Sequence, residues 1–94
     1  MKTLILAALA LTLMAAAAQA ECYADYKAKK SNPLQLHYGV AAISDANCSK
    51  VGAEAELSPR LAQDGWTLLN VLSTFGPEGL EERKASAGAH FLRY

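Results

Sequence analysis

Residues 22–42 read CYADYKAKKSNPLQLHYGVAA, which contains two alternating apolar and polar runs on either side of a short turn-forming sequence. Apolar and polar side chains alternate along residues 22–30 and again after residue 33, which is the period of half-buried β-strands. The sequence Ser-Asn-Pro at residues 31–33 separates the two runs with residue types that favour turns. The stretch therefore predicts an antiparallel hairpin with strands over residues 22–30 and 34–43.

The predicted hairpin register pairs Lys30 with Leu34, because this pairing places the apolar side chains of both strands on one face of the sheet. The opposite face then carries four polar side chains that form a candidate binding face: Lys27, Lys29, Gln35 and His37. A solvated sheet surface is the simpler interpretation of these side chains, since most polar surface residues have no ligand.

Cys22 and Cys48 are the two cysteines of the chain, and we expect them to form a disulfide. The hairpin returns the chain to the level of Cys22 a few residues before Cys48. The loop-entropy model gives roughly 3.5 kcal/mol for closing such a loop, which is comparable with the stability of a small domain. Redox pairs usually have closer spacing, and a zinc site needs more ligands than two cysteines and two separated histidines. We therefore predict a structural disulfide, with neither a metal nor a cofactor.

The first twenty residues have the pattern of a secretory signal peptide. A basic start and a short apolar run lead to the small residues Ala-Gln-Ala at 18–20. An uncleaved membrane anchor would need a longer apolar run, and a lipid anchor would need cysteine at the position of Glu21. We expect cleavage between Ala20 and Glu21, and export of a single domain, residues 21–94, to the bacterial periplasm or the medium.

The charge of the exported domain bears on its partners. The full chain has nine Lys and Arg against nine Asp and Glu, and loss of Lys2 with the signal leaves eight against nine, a net charge of −1. Nucleic-acid-binding domains show a strong basic excess, and so do domains that bind anionic membranes by charge alone. The sequence therefore predicts neither a nucleic-acid partner nor a membrane partner after cleavage.

Residues 51–64 are rich in Ala, Glu, Leu, Arg and Gln, which favour a helix that ends before Gly65. Pro59 predicts a kink, because proline removes one helical hydrogen bond. Residues 51–58 also alternate between apolar and polar, so an extended conformation remains an alternative for that part.

The rest of the chain completes an α+β domain. Residues 66–75 are apolar on both faces and predict an inner strand, followed by a short charged helix at 80–86 and a last strand at 89–94. The sequence thus predicts a small antiparallel sheet of about four strands, with one main helix on one face and the short helix beside it.

Residues 61–71, LAQDGWTLLNV, resemble the signature of domain-of-unknown-function family 4177, a family of small bacterial domains. The resemblance covers residues 55–94, including a closing aromatic-Leu-basic triplet, and a Tyr-rich first strand at 23–28. It implies an α+β fold in which Gly65 makes the left-handed turn after the helix and Trp66 anchors the core between helix and sheet. The family has no known activity, so the resemblance implies no site.

Three functional hypotheses follow from the sequence. The first is a non-enzymatic binding or interaction module of the cell envelope, and the second is a structural subunit of an envelope complex. The third is a small hydrolase that uses His37 or His90, although neither lies in a catalytic motif. Strand alternation further predicts that Leu69 and Val71 form an apolar strip on the uncovered face, which favours a homodimer or a protein partner.

Overall fold

The structure is a computed structural model that describes residues 21–94. The helices and strands are β1 (Cys22–Lys30), β2 (Gln35–Ile43), α1 (Lys50–Ala62), β3 (Thr67–Phe75) and α2 (Leu80–Ala87). The strands pair antiparallel in the order β2-β1-β3. The predicted α+β class is confirmed. The signal peptide and its cleavage after Ala20 lie outside the described residues.

The predicted fourth strand at 89–94 is wrong. Residues Gly88–His90 form a 3₁₀ turn, and a single parallel bridge joins Phe91 to Val40 at the outer edge of β2. Leu92 donates its backbone N–H to the Val40 carbonyl over 2.8 Å, but its φ of 55° is left-handed. A leucine in this conformation cannot continue an extended strand, so the sheet within residues 21–94 has three strands.

The predicted hairpin register is wrong by one residue. The turn has four residues, 31–34, where three were expected, so Lys30 pairs with Gln35 and Tyr26 pairs with Gly39. A shift of one residue moves every side chain of the second strand to the opposite face. Leu36, Tyr38 and Val40 therefore leave the face that carries Tyr26, and His37 joins it.

The register divides the hairpin into two faces. The core face carries Cys22, Ala24, Tyr26 and Ala28 of β1 with His37, Gly39, Ala41 and Ile43 of β2. The second face carries Tyr23, Asp25, Lys27 and Lys29 of β1 with Leu36, Tyr38, Val40 and Ala42 of β2.

Helix α1 covers the core face. Ser49 caps its first turn by accepting a hydrogen bond from the Gly52 N–H over 3.0 Å. Three side chains at helical spacing, Ala53, Leu57 and Leu61, are fully buried against the sheet. Residues 51–58 are therefore helical, and the helix runs through Pro59 to Ala62.

The end of α1 leads directly into the core tryptophan. Gly65 has a φ of 80°, a conformation that favours glycine, and it reverses the chain after the helix. The Trp66 N–H then donates to the Leu61 carbonyl over 3.0 Å, and the side chain is only 7% exposed. The turn thus fixes the ring of Trp66 between α1 and the sheet.

The Cys22–Cys48 disulfide is confirmed. It joins the start of β1 to the loop before α1, with the two Cα atoms 6.0 Å apart. Cys22 is buried, so the bridge closes the end of the core between sheet and helix. Disulfides persist in oxidising compartments, and the bridge is compatible with a location outside the cytoplasm.

Gly39→Ala should destabilise the protein by about 1–3 kcal/mol, because the core has no room for the added methyl group. The Tyr26 ring lies over Gly39, and a Cβ there would clash with the Tyr26 hydroxyl and lie 2.6 Å from the Cζ atom of the ring. Urea unfolding followed by circular dichroism measures the loss, with Ala42→Ser on the exposed end of the same strand as a control. Equal stability of the Gly39→Ala variant and the wild type would contradict the pairing of Tyr26 with Gly39.

Candidate functional site

The four residues of the candidate binding face do not share a face. Lys27 and Lys29 lie on the second face, whereas Gln35 and His37 belong to the opposite one. The physical reason is the four-residue turn. One extra residue in the turn moves every side chain of the second strand to the opposite face of the sheet. The lysines and the histidine must therefore be considered as parts of two separate clusters.

Helix α2 covers only one end of the second face. Its eight residues span about 12 Å, whereas the nine-residue strands span about 30 Å. Val40 and Ala87 are buried at the covered end, where Arg83 of α2 reaches Asp25. The other end of the second face has no covering element within residues 21–94.

A buried polar cluster anchors α2 to the sheet. The Asp25 carboxylate, 7% exposed, accepts hydrogen bonds from the Ser73 hydroxyl at 2.6 Å, the Tyr38 hydroxyl at 2.9 Å and Arg83 Nε at 3.1 Å. Burial raises the pKa of Asp25, but these hydrogen bonds and the guanidinium charge outweigh it, so the pKa lies below its usual value. The side chains of Asp25, Ser73, Tyr38 and Arg83 therefore already have hydrogen-bond partners within this cluster.

Two β-bulges in β3 place leucines on the second face. Between the pairs Asp25–Ser73 and Tyr26–Val71, β3 has one extra residue, Leu72. In a second bulge, Leu69 is the extra residue between Asn70, which pairs with Lys27, and Leu68, which pairs with Ala28. A bulge re-aims the following side chains, so strict alternation fails along this strand.

The predicted apolar strip is therefore partly wrong. Val71 is 3% exposed and belongs to the core, and Leu68 packs against the same cluster. Leu69 remains on the open side with 48% of its surface exposed, and Leu72 lines a groove on the second face. No signal in the alternation pattern marks the two bulges.

The open end of the second face forms a groove of two adjoining parts. The apolar part, about 240 Å³, is lined by Leu36, Tyr38 and Leu69, and the larger part, about 550 Å³, by Leu72 and side chains of α2. Lys27 and Tyr38 line both parts. We call this surface the open groove. Leu36 and Leu69, 67% and 48% exposed, lie on β2 and β3, the strands that flank β1.

Two lysines lie on the central strand of the second face: Lys27 lines the open groove, and Lys29 lies next to it, paired with Leu36. Lys27 and Lys29 are successive second-face residues of β1, the central strand, and neither forms a salt bridge within residues 21–94. Three arginines of the same part of the chain are paired with carboxylates: Arg60 with Glu56, Arg83 with Asp25 and Glu82, and Arg93 with Asp64. The two ammonium groups thus differ from these arginines in having no partner charge.

The two histidines, separated in sequence, meet on the core face. The rings of His37 and His90 stack with centroids 3.7 Å apart, and the Trp66 ring stands edge-on to His37 at 4.3 Å. The Tyr26 hydroxyl and His37 Nε2 share a hydrogen bond of 2.9 Å. The chain end brings His90 there through the bridge at Phe91. Sequence reasoning missed this pair, because the wrong register placed His37 in solvent.

The surroundings of the pair keep both imidazoles neutral. Burial, helped by His90, Arg93 and Lys30, lowers the pKa of His37 to about 4. Burial and then Arg93 also lower the pKa of His90. Within residues 21–94 no three His, Cys, Asp or Glu side chains form a group that could hold a metal ion. In the same part of the chain, no helix combines the length and apolar character that a membrane crossing requires.

Stability should fall as the pH is lowered from about 6.5 to about 4. His37 is protonated near pH 6.5 in the unfolded chain but only near pH 4 in the folded protein, so the unfolded state binds more protons between these values. The urea midpoint should therefore be lower at pH 5 than at pH 7. The double variant His37→Gln, His90→Gln should lose most of this dependence. Identical midpoints of the wild type at both pH values would contradict the neutral, stacked pair.

Comparisons with protein-family models, with curated proteins and with solved structures give no match. The resemblance of residues 55–94 to family 4177 therefore stays a hypothesis. The proposal for function therefore rests on the open groove, and the histidine pair bears only on the hydrolase alternative.

Proposed function

We propose that the protein is a non-enzymatic interaction module of the bacterial cell envelope, which binds a protein partner through the open groove. The observation that supports this proposal most directly is the exposure of Leu36 and Leu69 along a groove that α2 leaves uncovered. Contiguous exposed apolar surface on a small domain is typical of an interface. The signal sequence and the disulfide favour a partner outside the cytoplasm.

The histidine pair gives less support to the hydrolase hypothesis. His37 Nε2 is bonded to the hydroxyl of Tyr26, a fully buried residue, and burial raises the pKa of that hydroxyl. The Nδ1 atoms of both histidines are themselves buried. A general base must reach a substrate proton, and these contacts instead pack the rings into the core. The pair fits a structural role that joins residue 90 to the sheet.

Site-specific photo-crosslinking in the exporting cell tests the proposed function. A photoreactive residue in place of Leu69 should give one discrete covalent adduct. The same residue in place of Val51, which is 78% exposed on α1 outside the groove, should give none. An adduct of twice the mass of the domain identifies a second copy as the partner. An adduct of larger mass identifies an envelope protein as the partner. Adducts absent from both positions, or identical at both, would contradict a specific interface at the groove.

The fraction of molecules that carry a bound partner distinguishes a transient binding module from a structural subunit. A subunit of a permanent complex should carry its partner at position 69 in nearly every molecule, whereas a binding module should be only partly occupied. The fraction of crosslinked protein, compared with the fraction that elutes as a free monomer from a sizing column, measures this difference.

A further inference from the structure

We infer that the open groove binds an acidic amphipathic helix, whose carboxylates pair with Lys27 and Lys29 while its apolar side chains pack on the leucines beside them. This inference rests on the proposed function, because it names the partner of the same surface. Three features of this surface support it: the two lysines on its central strand, an exposed leucine on each flanking strand, and the distance between those flanking strands.

The charge pattern selects an acidic partner. Lys27 and Lys29 project from the central strand and have no carboxylate partner within residues 21–94. Glu82, the acidic residue of the groove lining, is already paired with Arg83 over 2.7 Å, and Asp25 is enclosed by its own hydrogen bonds. An approaching carboxylate therefore meets two unneutralised ammonium groups. A basic partner would place like charges together at the interface, which opposes binding.

The dimensions of the groove select a helix. Leu36 on β2 and Leu69 on β3 lie on opposite sides of β1, so their strands are separated by about 9.6 Å, twice the strand spacing. A helix with its side chains is about 10–12 Å in diameter and fills this interval. Lys27 and Lys29 are two residues apart along a strand, about 6.7 Å, and the Cβ atoms of two Glu four residues apart on a helix are separated by about 5–6 Å. One helix running along β1 can therefore meet both lysines together with Leu36 and Leu69.

The layer arrangement of the domain gives independent support. The core face is covered by the 13-residue α1 together with Trp66 and His90, whereas the second face has only the eight-residue α2 at one end. Domains of this class bury a sheet face by laying a helix on it. A partner helix in the open groove would continue the layer that α2 begins.

Peptide binding tests this inference on the disulfide-bonded protein. The probe is a stabilised helix of roughly 15 residues with two Glu four positions apart and Leu on either side of them. A matched peptide carries Lys in place of both Glu. The acidic peptide should bind at least about ten times more tightly than the basic one, and it should shift the backbone resonances around Leu69 and Leu36.

Charge reversal in the protein supplies the matched control. The double variant Lys27→Glu, Lys29→Glu should lose at least about ten-fold in affinity for the acidic peptide and gain affinity for the basic one. Lys50→Glu, at the start of α1 outside the groove, should leave the affinity for both peptides unchanged. The milder variant Lys27→Gln, Lys29→Gln replaces it if the charge-reversed protein unfolds. This variant should also bind the acidic peptide more weakly than the wild type.

Each other outcome overturns the inference in a distinct way. Equal affinity for the two peptides, with shifts still centred on Leu69, would overturn the acidic helix and leave the proposed function intact. Resonance shifts at the groove that depend on protein concentration without peptide would assign the groove to a second copy. Binding of both peptides elsewhere on the domain, or of neither, would also overturn the acidic helix. The crosslinking result at position 69 separately decides whether the groove is an interface.

Discussion

Trp66→Ala should cost on the order of 3–5 kcal/mol of folding free energy, enough to unfold a large fraction of so small a domain. The ring is 7% exposed and stands edge-on to the stacked histidines, 4.3 Å from the His37 centroid. Lys30 Nζ lies over the ring, 4.6 Å from its centroid. Removing the ring leaves a cavity among α1, the sheet and the chain end, and it removes the contact that holds the histidine pair in place.

Urea unfolding followed by far-ultraviolet circular dichroism measures this loss, because Trp66 is the sole tryptophan and fluorescence disappears with it. Trp66→Phe keeps an aromatic ring and should cost clearly less. A Trp66→Ala variant within about 1 kcal/mol of the wild type would contradict a core built around this residue. Freely quenched tryptophan emission in the native wild type would contradict the burial directly.

Removing the disulfide with Cys22→Ser and Cys48→Ser should cost about 2–4 kcal/mol. The bridge joins residues 26 positions apart and so closes a loop that includes the whole hairpin. Without the bridge this loop is unconstrained in the unfolded chain, and the gain in entropy favours unfolding. Cys22 is also buried beneath the start of α1, so a serine hydroxyl there adds a desolvation penalty.

Thermal unfolding of the double variant, beside reduced wild type, measures the contribution of the bridge. Both should melt well below the oxidised protein, by several degrees for each kcal/mol lost in a domain of this size. A double variant that melts within about a degree of the oxidised wild type would show that the bridge does not support the fold.

Local patterns in the sequence were sufficient to predict much of this fold. The alternation at residues 22–30, the helix formers that end before Gly65 and the pair Cys22 and Cys48 each depend on short-range chemistry. These features specify a hairpin, a helix, a helix-ending turn and a disulfide, and the structure contains all four.

The register and the bulges could not be predicted in the same way. A turn of three or four residues is consistent with Ser31, Asn32 and Pro33, yet the two lengths place Leu36 and His37 on opposite faces. The bulges at Leu69 and Leu72 likewise depend on how β3 pairs with β1, which is a long-range contact. The candidate site changed for this reason: the lysines stayed on the open face, while His37 moved to the core.

The conformation of the chain end is also set by tertiary contacts. Residues 89–94 have the composition of a strand, but Leu92 adopts a left-handed conformation that ends the pairing after a single bridge. Tyr94 donates to the Asp64 carboxylate near the end of α1, and Arg60 donates to the Tyr94 carbonyl over 3.4 Å. These contacts with α1 and its following turn hold the segment that carries His90.

The stability of Leu69→Lys measures whether the second face is open in the isolated domain and available to a partner. Leu69 is 48% exposed, so a lysine there should leave the free energy of unfolding within about 0.5 kcal/mol of the wild type. The same substitution should abolish the adduct formed from a photoreactive residue at Leu36. A clean monomer that Leu69→Lys destabilises by about 2 kcal/mol or more would show that the strip is buried within the chain, and would contradict the account.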